Sequence, residues 1–262
     1  MIRAEHMSFA YNKLKVLDDI SFEIGQGQLV AVLGPNGAGK STLFKCILRL
    51  LHQYEGEIWL DGQNTRDMNR KRMASLAAYI PQSETPVFNY TVMDTVLMGT
   101  TGMLSPLKSP GKEQIELAQQ AIDFLDIGYM SERGINEISG GERQMALLAR
   151  AIAQKAKILI MDEPTANLDY GNQHHVLRSI QNMARHGFTI LLSTHNPEHA
   201  LRYATSVLAI KDHHVLAQGD AGEILTRGLI KSIYGLDVKI LETQVGGTIV
   251  RSCVPAEPAE EM

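Results

Sequence analysis

Residues 34–42 read Gly-Pro-Asn-Gly-Ala-Gly-Lys-Ser-Thr. An apolar run at 29–33 comes directly before this stretch, and a helix-forming segment at 43–48 comes directly after it. Strand, glycine-rich loop and helix in this order are the context of a phosphate-binding loop. The glycines let the backbone turn tightly and point successive N–H groups at phosphate oxygens, and the start of the helix adds a partial positive charge. The stretch therefore predicts a nucleoside triphosphate site.

Each residue of this loop has an expected place in the site. We expect the phosphates to lie against Gly34, Pro35, Asn36, Gly37, Ala38, Gly39, Lys40, Ser41 and Thr42. Lys40 would reach the β- and γ-phosphates, and the hydroxyl of Ser41 would bind Mg²⁺. A glycine-rich turn that only connects a strand to a helix is the alternative interpretation.

A second apolar run, at 158–161, ends in two carboxylates, Asp162 and Glu163. A short continuous apolar run favours a buried parallel strand, and doubly wound sheets bind their ligands at the carboxyl ends of such strands. Asp162 would hold Mg²⁺ there, directly or through a water, and Glu163 would polarise the attacking water. Acidic residues also mark strand ends where the chain merely leaves the core, and Pro164 and Thr165 fit that alternative as well.

The sequence Ser139-Gly140-Gly141-Glu142-Arg143-Gln144 precedes a long helix-forming stretch at 145–156. Ser139 is suited to cap this helix, and the two glycines leave its first N–H groups bare for an anion. One domain has one triphosphate to hold, so a second phosphate-binding helix end is unexpected in a protein that acts alone. We therefore expect Ser139, Gly140, Gly141 and Glu142 to serve the nucleotide of another copy.

These three motifs resemble those of the ATP-binding subunits of ABC transporters. In this family two such chains pack head to tail, and each ATP lies between the phosphate-binding loop of one copy and the signature Ser-Gly-Gly of the other. The resemblance implies an ATPase with a P-loop NTPase (RecA-like) α/β core, a mixed sheet and an inserted α-helical subdomain that carries the signature. It also implies ATP and Mg²⁺ as cofactors, with Ser41, Gln82 and Asp162 as magnesium ligands and with Lys40, Glu163 and His195 as catalytic residues.

Four further residues match family positions in chain order. Tyr11 fits the aromatic residue that stacks on adenine, and Gln82 fits the glutamine that senses Mg²⁺ and the membrane subunit. Asp169 fits the loop that crosses the dimer interface, and His195 fits the switch histidine that contacts the γ-phosphate. Each also has a simpler interpretation: in the same order, a half-buried tyrosine on an edge strand, an ordinary loop residue, a helix cap and a helix-start turn.

The signature departs from the family's commonest form, which has Leu where this chain has Ile138 and Gln where it has Glu142. Ile in place of Leu conserves volume. A carboxylate at position 142 would lie near the dimer interface, where it either hydrogen-bonds the facing copy or is solvated beside Arg143. We expect it to tune the site and not to inactivate it.

Within the family, the resemblance extends to the subunits that serve iron–siderophore, haem and cobalamin importers. The segments that carry it are 76–82, 91–99, 169–173 and 233–238. It implies two transmembrane permease subunits as partners, indirectly a substrate-binding protein, and a peripheral position on the cytoplasmic face of the inner membrane. Phe88 and Tyr90 are candidate contacts for the permease. A ferric chelate is the first expectation for the cargo, and haem, cobalamin, molybdate and other metal complexes stay open.

Two other functions also stay open: a soluble ABC ATPase, for example of the iron–sulphur assembly type, and an ABC exporter subunit. The chain has 262 residues and a net charge of −4, which does not favour nucleic acid as a partner. Cys46 and Cys253 are far apart and unpatterned, which argues against disulfides and metal binding. No apolar run approaches the roughly 18–20 residues that span a bilayer, so we expect other chains to form the pore.

The order of apolar runs and turns predicts the domain organisation. Residues 1–82 and 151–221 are expected to form the nucleotide-binding core, 83–150 the helical subdomain, and 222–262 a C-terminal extension. The extension is expected to contain a helix from Glu223, a strand pair around Gly246 and Gly247, and a disordered end from Val254. The histidine pairs at 174–175 and 213–214 are interpreted as surface residues and not as metal ligands.

Overall fold

A computed structural model of the protein describes residues 1–82, 88–104 and 109–256. These residues form three β-sheets and a layer of helices, so the predicted α/β class is confirmed. The strands are β1 (Ile2–Tyr11), β2 (Leu14–Ile24), β3 (Leu29–Leu33), β4 (Glu55–Leu60), β5 (Gln63–Asn64), β6 (Ala77–Ile80), β7 (Ile158–Met161), β8 (Thr189–Thr194), β9 (Ser206–Lys211), β10 (His214–Asp220), β11 (Val238–Val245) and β12 (Thr248–Pro255). The α-helices are α1 (Lys40–Ile47), α2 (Arg70–Leu76), α3 (Val92–Leu97), α4 (Lys112–Phe124), α5 (Gly140–Ala153), α6 (Tyr170–Arg185), α7 (Pro197–Tyr203), α8 (Ala221–Ile224) and α9 (Arg227–Tyr234).

The largest sheet has six strands in the order β10-β9-β3-β8-β7-β6. All neighbouring pairs from β9 to β6 are parallel, and β10 adds an antiparallel edge. The central strands β3, β7 and β8 are buried along their whole length, which is typical of parallel strands that are covered on both faces. The carboxyl ends of the parallel strands therefore meet at one edge of the sheet.

Strand β3 lies between two hydrophobic cores. Leu29, Ala31 and Leu33 pack into the core that contains the helices. Val30 and Val32 pack into the other core, together with side chains of β1, β2 and α1. This alternation follows from the two-residue period of a strand. The phosphate-binding loop therefore begins directly after a strand that is packed on both faces.

A second sheet is antiparallel, with the strand order β2-β1-β4-β5. It is joined to the six-stranded sheet at the turn between β9 and β10. There Asp18 N donates to His213 O at 2.9 Å, and His213 Nδ1 lies 3.0 Å from Val16 O. His213 is partly buried, so it links the two sheets and is not the plain surface residue that the sequence suggested.

The chain between β6 and β7 is mainly helical. Helix α4 spans Lys112–Phe124, and α5 begins at Gly140, directly after Ser139. Thr91 caps α3, because its hydroxyl accepts the Asp94 N–H at 3.0 Å while the Asp94 carboxylate accepts the Thr91 N–H at 3.3 Å. The boundaries of the predicted core, helical subdomain and extension stay predictions.

The C-terminal part contains the predicted strand pair. β11 and β12 form an antiparallel hairpin around Gly246 and Gly247, and β12 contacts α7. The expectation of disorder from Val254 is wrong for Val254 and Pro255, because both residues pair with β11 in a continuous ladder. Residues 257–262 lie outside the described residues. Glu223 is part of the short helix α8, which α9 follows.

Leu191 of β8 is fully buried between the two sheets. We expect Leu191→Ala to lower the free energy of unfolding by about 2–5 kcal/mol, because it removes buried methyl groups and leaves a cavity. Urea unfolding monitored by circular dichroism measures the change. Leu216→Ala on β10 is the matched control, since Leu216 is 44% exposed. A change of equal size in both variants would contradict the assigned layer order.

Candidate functional site

Four chain segments leave the carboxyl ends of neighbouring parallel strands at one edge of the sheet. In the spatial order β6, β7, β8, β3, the residues that follow are Gln82, then Asp162 and Glu163, then His195, then the loop at 34–39. Neighbouring strands are about 4.8 Å apart, so residues distant in the sequence are close here. The topology thus brings the predicted residues of all four segments to one edge.

The loop at 34–39 has the backbone that the glycines predict. Gly37 and Gly39 have φ angles of 83° and 96°, in the region that favours glycine. A Cβ atom at Gly34 would collide with the backbone oxygen of Ile210. The loop closes with a hydrogen bond from Ala38 N to Pro35 O at 3.2 Å, and α1 begins at Lys40. The first N–H groups of α1 thus follow a tight glycine turn, as in an anion cradle.

Lys40 is buried, with 6% of its surface exposed. Its Nζ donates to the carbonyl oxygens of Gly34 and Pro35 at 2.8 and 3.0 Å. Burial lowers the pKa of Lys40, and the negative charges of Glu163 and Asp162 oppose this shift. A buried cation inside a glycine cradle fits a phosphate group, because phosphate supplies the charge and the acceptor oxygens that the amine needs.

Asp162 is buried and its carboxylate is held by two hydroxyl groups. Ser193 Oγ donates to Asp162 Oδ1 at 2.7 Å, and Tyr79 Oη donates to Oδ2 at 3.5 Å. Burial raises the pKa of Tyr79 to about 12, and Asp162 contributes to the rise. Tyr79 therefore stays a donor at neutral pH, and Asp162 presents oxygen ligands of the kind that Mg²⁺ prefers.

Glu163 is the point where three of the predicted residues meet. Gln82 Nε2 lies 3.4 Å from one carboxylate oxygen, and His195 Nδ1 lies 3.3 Å from the other. The backbone N–H of Glu163 donates to Ser193 Oγ at 2.8 Å. Its φ angle is +45°, an uncommon conformation for a residue with a side chain. Such strain at a carboxylate with few protein donors is typical of functional positions.

A polar cavity of about 330 Å³ adjoins Glu163 and His195. His199 of α7 also lines it, although only 8% of this side chain is exposed. Burial lowers the pKa of His199 to about 4, and the nearby His174 and His195 add to the effect. A neutral imidazole therefore faces the same cavity as the predicted catalytic residues. Sequence reasoning missed His199, because a single histidine in a helix gives no signal of its own.

Ser139 caps α5 as predicted. Its hydroxyl accepts the Glu142 N–H at 3.2 Å, and the Glu142 carboxylate accepts the Ser139 N–H at 2.9 Å. The other oxygen of Glu142 accepts a hydrogen bond from Tyr129 Oη at 3.1 Å. Arg143 instead donates to Ile135 O at 3.2 Å. A capping box therefore engages the Glu142 carboxylate within its own chain, and the expected place of Glu142 at the nucleotide of another copy stays a prediction.

The two signature glycines lie against the segment that contains Asp169. A Cβ atom at Gly140 would lie 3.2 Å from Leu168, and one at Gly141 would lie 2.5 Å from the side-chain oxygen of Asn172. Asp169 caps α6 and fixes Asn172, accepting its backbone and side-chain N–H groups at 2.8 Å each. The cap interpretation of Asp169 is confirmed, and its role at a dimer interface stays a prediction. Asn172 is a further residue that the motifs did not indicate.

Tyr11 ends β1 and is 43% exposed, with its ring 4.9 Å from that of Phe9. It lies beside β2, whose Val16 and Leu17 contact the position of Gly39. Stacking of Tyr11 on adenine stays a prediction. Phe88 and Tyr90 are exposed, with ring centroids 5.8 Å apart.

The described residues contain no group of three or more His, Cys, Asp or Glu side chains that could hold a metal ion. Magnesium in phosphoryl-transfer enzymes usually binds through one or two carboxylates together with the phosphates of the substrate. Asp162 and the hydroxyl of Ser41 at the start of α1 fit that pattern, since both are hard oxygen donors at the same sheet edge.

Residues 17–166, which include the phosphate-binding loop and Asp162, match a protein-family model described as ABC transporter. The chain belongs to the ABC transporter family. The match covers more than half of the 262 residues. The family match, together with the relatives described next, identifies this ABC protein as an ATP-binding subunit with an ATPase domain.

Its relatives match it over nearly the full length. An uncharacterized ABC transporter ATP-binding protein of Haemophilus influenzae is 34% identical over 252 residues, which are 96% of each chain. The ferric enterobactin transport ATP-binding protein FepC of Escherichia coli is 33% identical over 94% of this chain and 92% of its own. The iron(3+)-hydroxamate import ATP-binding protein FhuC of Bacillus subtilis is 29% identical over 92% of this chain and 90% of its own.

A solved structure supports the same relationship. A chain of a metal-chelate type ABC transporter in an inward-facing conformation superposes on this ABC protein with a TM-score of 0.86 and 28% identity. The superposition covers 98% of this chain and 97% of that one. The predicted P-loop architecture is therefore confirmed at the level of the whole fold.

His199 gives this ABC protein a predictable pH dependence. Its pKa is about 4 in the folded chain against 6.5 ordinarily. Between these values the unfolded chain binds more protons, so the free energy of unfolding falls as the pH falls, by on the order of 3 kcal/mol in total from this group. We expect His199→Gln to flatten the pH dependence between about pH 6.5 and 4, measured by urea unfolding at several pH values. His175→Gln, at an exposed position of α6, should keep the wild-type slope. Equal slopes for both variants would contradict the burial of a neutral His199.

Proposed function

We propose that this chain binds and hydrolyses ATP to power an importer for an iron–siderophore or a related metal chelate. The observation that carries the proposal is the meeting of Gln82 and His195 on the Glu163 carboxylate, at the sheet edge where the loop around Lys40 also ends. Phosphoryl transfer needs little covalent chemistry from the protein and depends on positioning and charge stabilisation. This arrangement supplies both.

The roles of the residues follow from their surroundings. Lys40 and the N–H groups of the loop bind the β- and γ-phosphates, because the amine is buried and the glycines leave the backbone open. Ser41, Gln82 and Asp162 would hold Mg²⁺, which would neutralise charge on the phosphate oxygens. Glu163 orients and polarises the attacking water, and His195 contacts the γ-phosphate and holds the carboxylate of Glu163 in place.

A second copy completes the site in this proposal. Ser139, Gly140, Gly141 and Glu142 begin α5, a helix of 14 residues, whose positive end suits the triphosphate of another copy. Asp169 lies near this surface, because it bonds the side chain of Asn172, which packs against Gly141. ATP favours the closed pair of chains and ADP the open pair, so hydrolysis drives a shift of population between two states.

The energy reaches the cargo through other chains. No helix in the described part of the chain is long and apolar enough to cross a membrane. A largely apolar groove of about 680 Å³ runs beside α2 and β6, and Leu50, Met68, Met73 and Tyr79 line it. We assign this groove, together with the exposed Phe88 and Tyr90, to contact with a permease. The permease would consist of two transmembrane subunits, and this chain would lie peripherally on the cytoplasmic face of the inner membrane. A substrate-binding protein would deliver the cargo to them.

The proposed cargo class rests on the relatives. FepC is named for ferric enterobactin transport and FhuC for iron(3+)-hydroxamate import, and the superposed chain belongs to a metal-chelate type transporter. Residues that touch a permease or a second ATPase copy do not touch the cargo, so its identity is decided in the partner proteins.

Glu163→Gln tests the hydrolytic role. We expect the variant to bind ATP with unchanged affinity, to lose at least about 99% of turnover, and to accumulate as an ATP-bound dimer, because the amide no longer polarises water. Phosphate release and size-exclusion chromatography with ATP measure these properties. Glu116→Gln on the exposed side of α4 is the matched control and should hydrolyse ATP normally. Turnover near the wild-type rate in Glu163→Gln would show that Glu163 does not have this role.

The transport role is tested by recovering the tagged chain from native membranes in mild detergent and identifying its partners by mass spectrometry. We expect a membrane protein with many spans, together with a binding protein that can be assayed with ferric chelates. Leu50→Asp should lose these partners, since Leu50 is 57% exposed and lines the groove. Leu216→Asp, at an exposed position outside the groove, should keep them. Recovery of soluble proteins alone from the wild type would contradict the importer and leave a soluble ABC ATPase.

A further inference from the structure

Tyr129 lies in a short 3-10 turn, Gly128–Met130, that comes before the signature. Its side chain is 64% exposed, yet its hydroxyl donates to Glu142 Oε1 at 3.1 Å. The other oxygen of the same carboxylate accepts the Ser139 N–H at 2.9 Å. Both oxygens of Glu142 are therefore occupied by donors of their own chain, one from the signature serine and one from Tyr129.

The carboxylate of Glu142 lies beside the N–H groups that begin α5. Hydrogen bonds from the backbone and hydroxyl of Ser139 lower the pKa of Glu142, and Tyr129 and Arg133 lower it further. Glu142 is therefore ionised at neutral pH, in the first turn of α5. A negative charge there offsets the positive end of the helix. It also repels any phosphate that approaches the same N–H groups.

We propose that Tyr129 is a positioning residue that keeps Glu142 Oε1 bonded within its own chain, and so sets how strongly the signature binds the triphosphate of a second copy. This inference rests on the proposed function. Without the tyrosine hydroxyl, no donor among the described residues satisfies the lone pairs and charge of Oε1, which lies next to Ser139. Tyr129 thereby compensates for a carboxylate at a position where the family's commonest form has an uncharged Gln.

The hydrogen bond from Tyr129 should affect the pairing of two copies and not the folding of the single chain. In the free chain Tyr129 is exposed and Glu142 is partly buried, and the hydrogen bond between them lies at the surface, so it contributes little to folding. When a second copy covers the signature, water leaves, and an unpaired carboxylate oxygen beside a phosphate becomes costly. The loss of the Tyr129 hydroxyl should therefore weaken ATP-driven pairing while the stability of the single chain stays the same.

The experiment uses the full chain with Glu163→Gln, so that ATP traps the pair without being consumed. Analytical ultracentrifugation gives the ATP concentration at which half of the chains are dimeric. We expect Tyr129→Phe to raise this concentration about fivefold and to leave the melting temperature of the nucleotide-free chain unchanged. Glu142→Gln should lower it, because the charge is removed while an acceptor for the Ser139 N–H remains. Glu116→Gln, which removes one exposed charge from α4, should leave it unchanged.

The double variant decides whether Tyr129 acts through the charge of Glu142. With Glu142→Gln already present, Tyr129→Phe should change the ATP concentration by less than about twofold. An equal effect of Tyr129→Phe in both backgrounds, or no effect in either, would overturn the inference while the proposed function stands. If Glu163→Gln forms no dimer with ATP at all, the proposed function itself fails and this inference fails with it.

Discussion

The parallel pairing of β6, β7, β8 and β3 is the constraint on which the candidate site depends. The ladder sets Ala77 opposite Ile158, Ile158 opposite Thr189, and Leu29 opposite Ile190. A slip of one residue in any pair would send the side chains after that strand to the opposite face of the sheet. The aliphatic residues of these strands, which touch no ligand, therefore decide whether the polar groups at their carboxyl ends can meet.

One hydroxyl group then holds both acidic residues at that edge, Asp162 by its carboxylate and Glu163 by its backbone. Ser193 Oγ donates to Asp162 and accepts the backbone N–H of Glu163. The left-handed conformation of Glu163 costs about 1–3 kcal/mol, and the hydrogen bond to Ser193 helps to hold the backbone in it. The strain belongs to the residue that we assign to the attacking water, and the packing of β7 and β8 supports it.

Much of this site could be predicted from sequence, and the parts that could not share a physical cause. Continuous apolar runs predicted β3 and β7 because parallel strands are buried on both faces. Ser193 and Tyr79 were missed because a polar residue inside an apolar strand does not reveal which neighbour it will bond. The intrachain hydrogen bonds of Glu142 were missed although Ser-x-x-Glu is a capping-box pattern. The order of Val254 and Pro255 was missed because pairing with β11 outweighs a polar, proline-containing composition.

The close contact between Gly141 and Asn172 has a consequence for how the two halves of the proposed site move. Asn172 is fixed to Asp169 by two hydrogen bonds, and there is no room for even a Cβ atom between it and Gly141. The beginning of α5 and the beginning of α6 therefore cannot approach further, and a rotation of the helical layer would push on the Asp169 segment. That segment follows Glu163 within a few residues of the chain, and the turn between them is held by a hydrogen bond from Ala166 N to Glu163 O. A displacement of the signature by a second copy would in this way reach the strained carboxylate through the backbone, without a contact between the signature and Glu163.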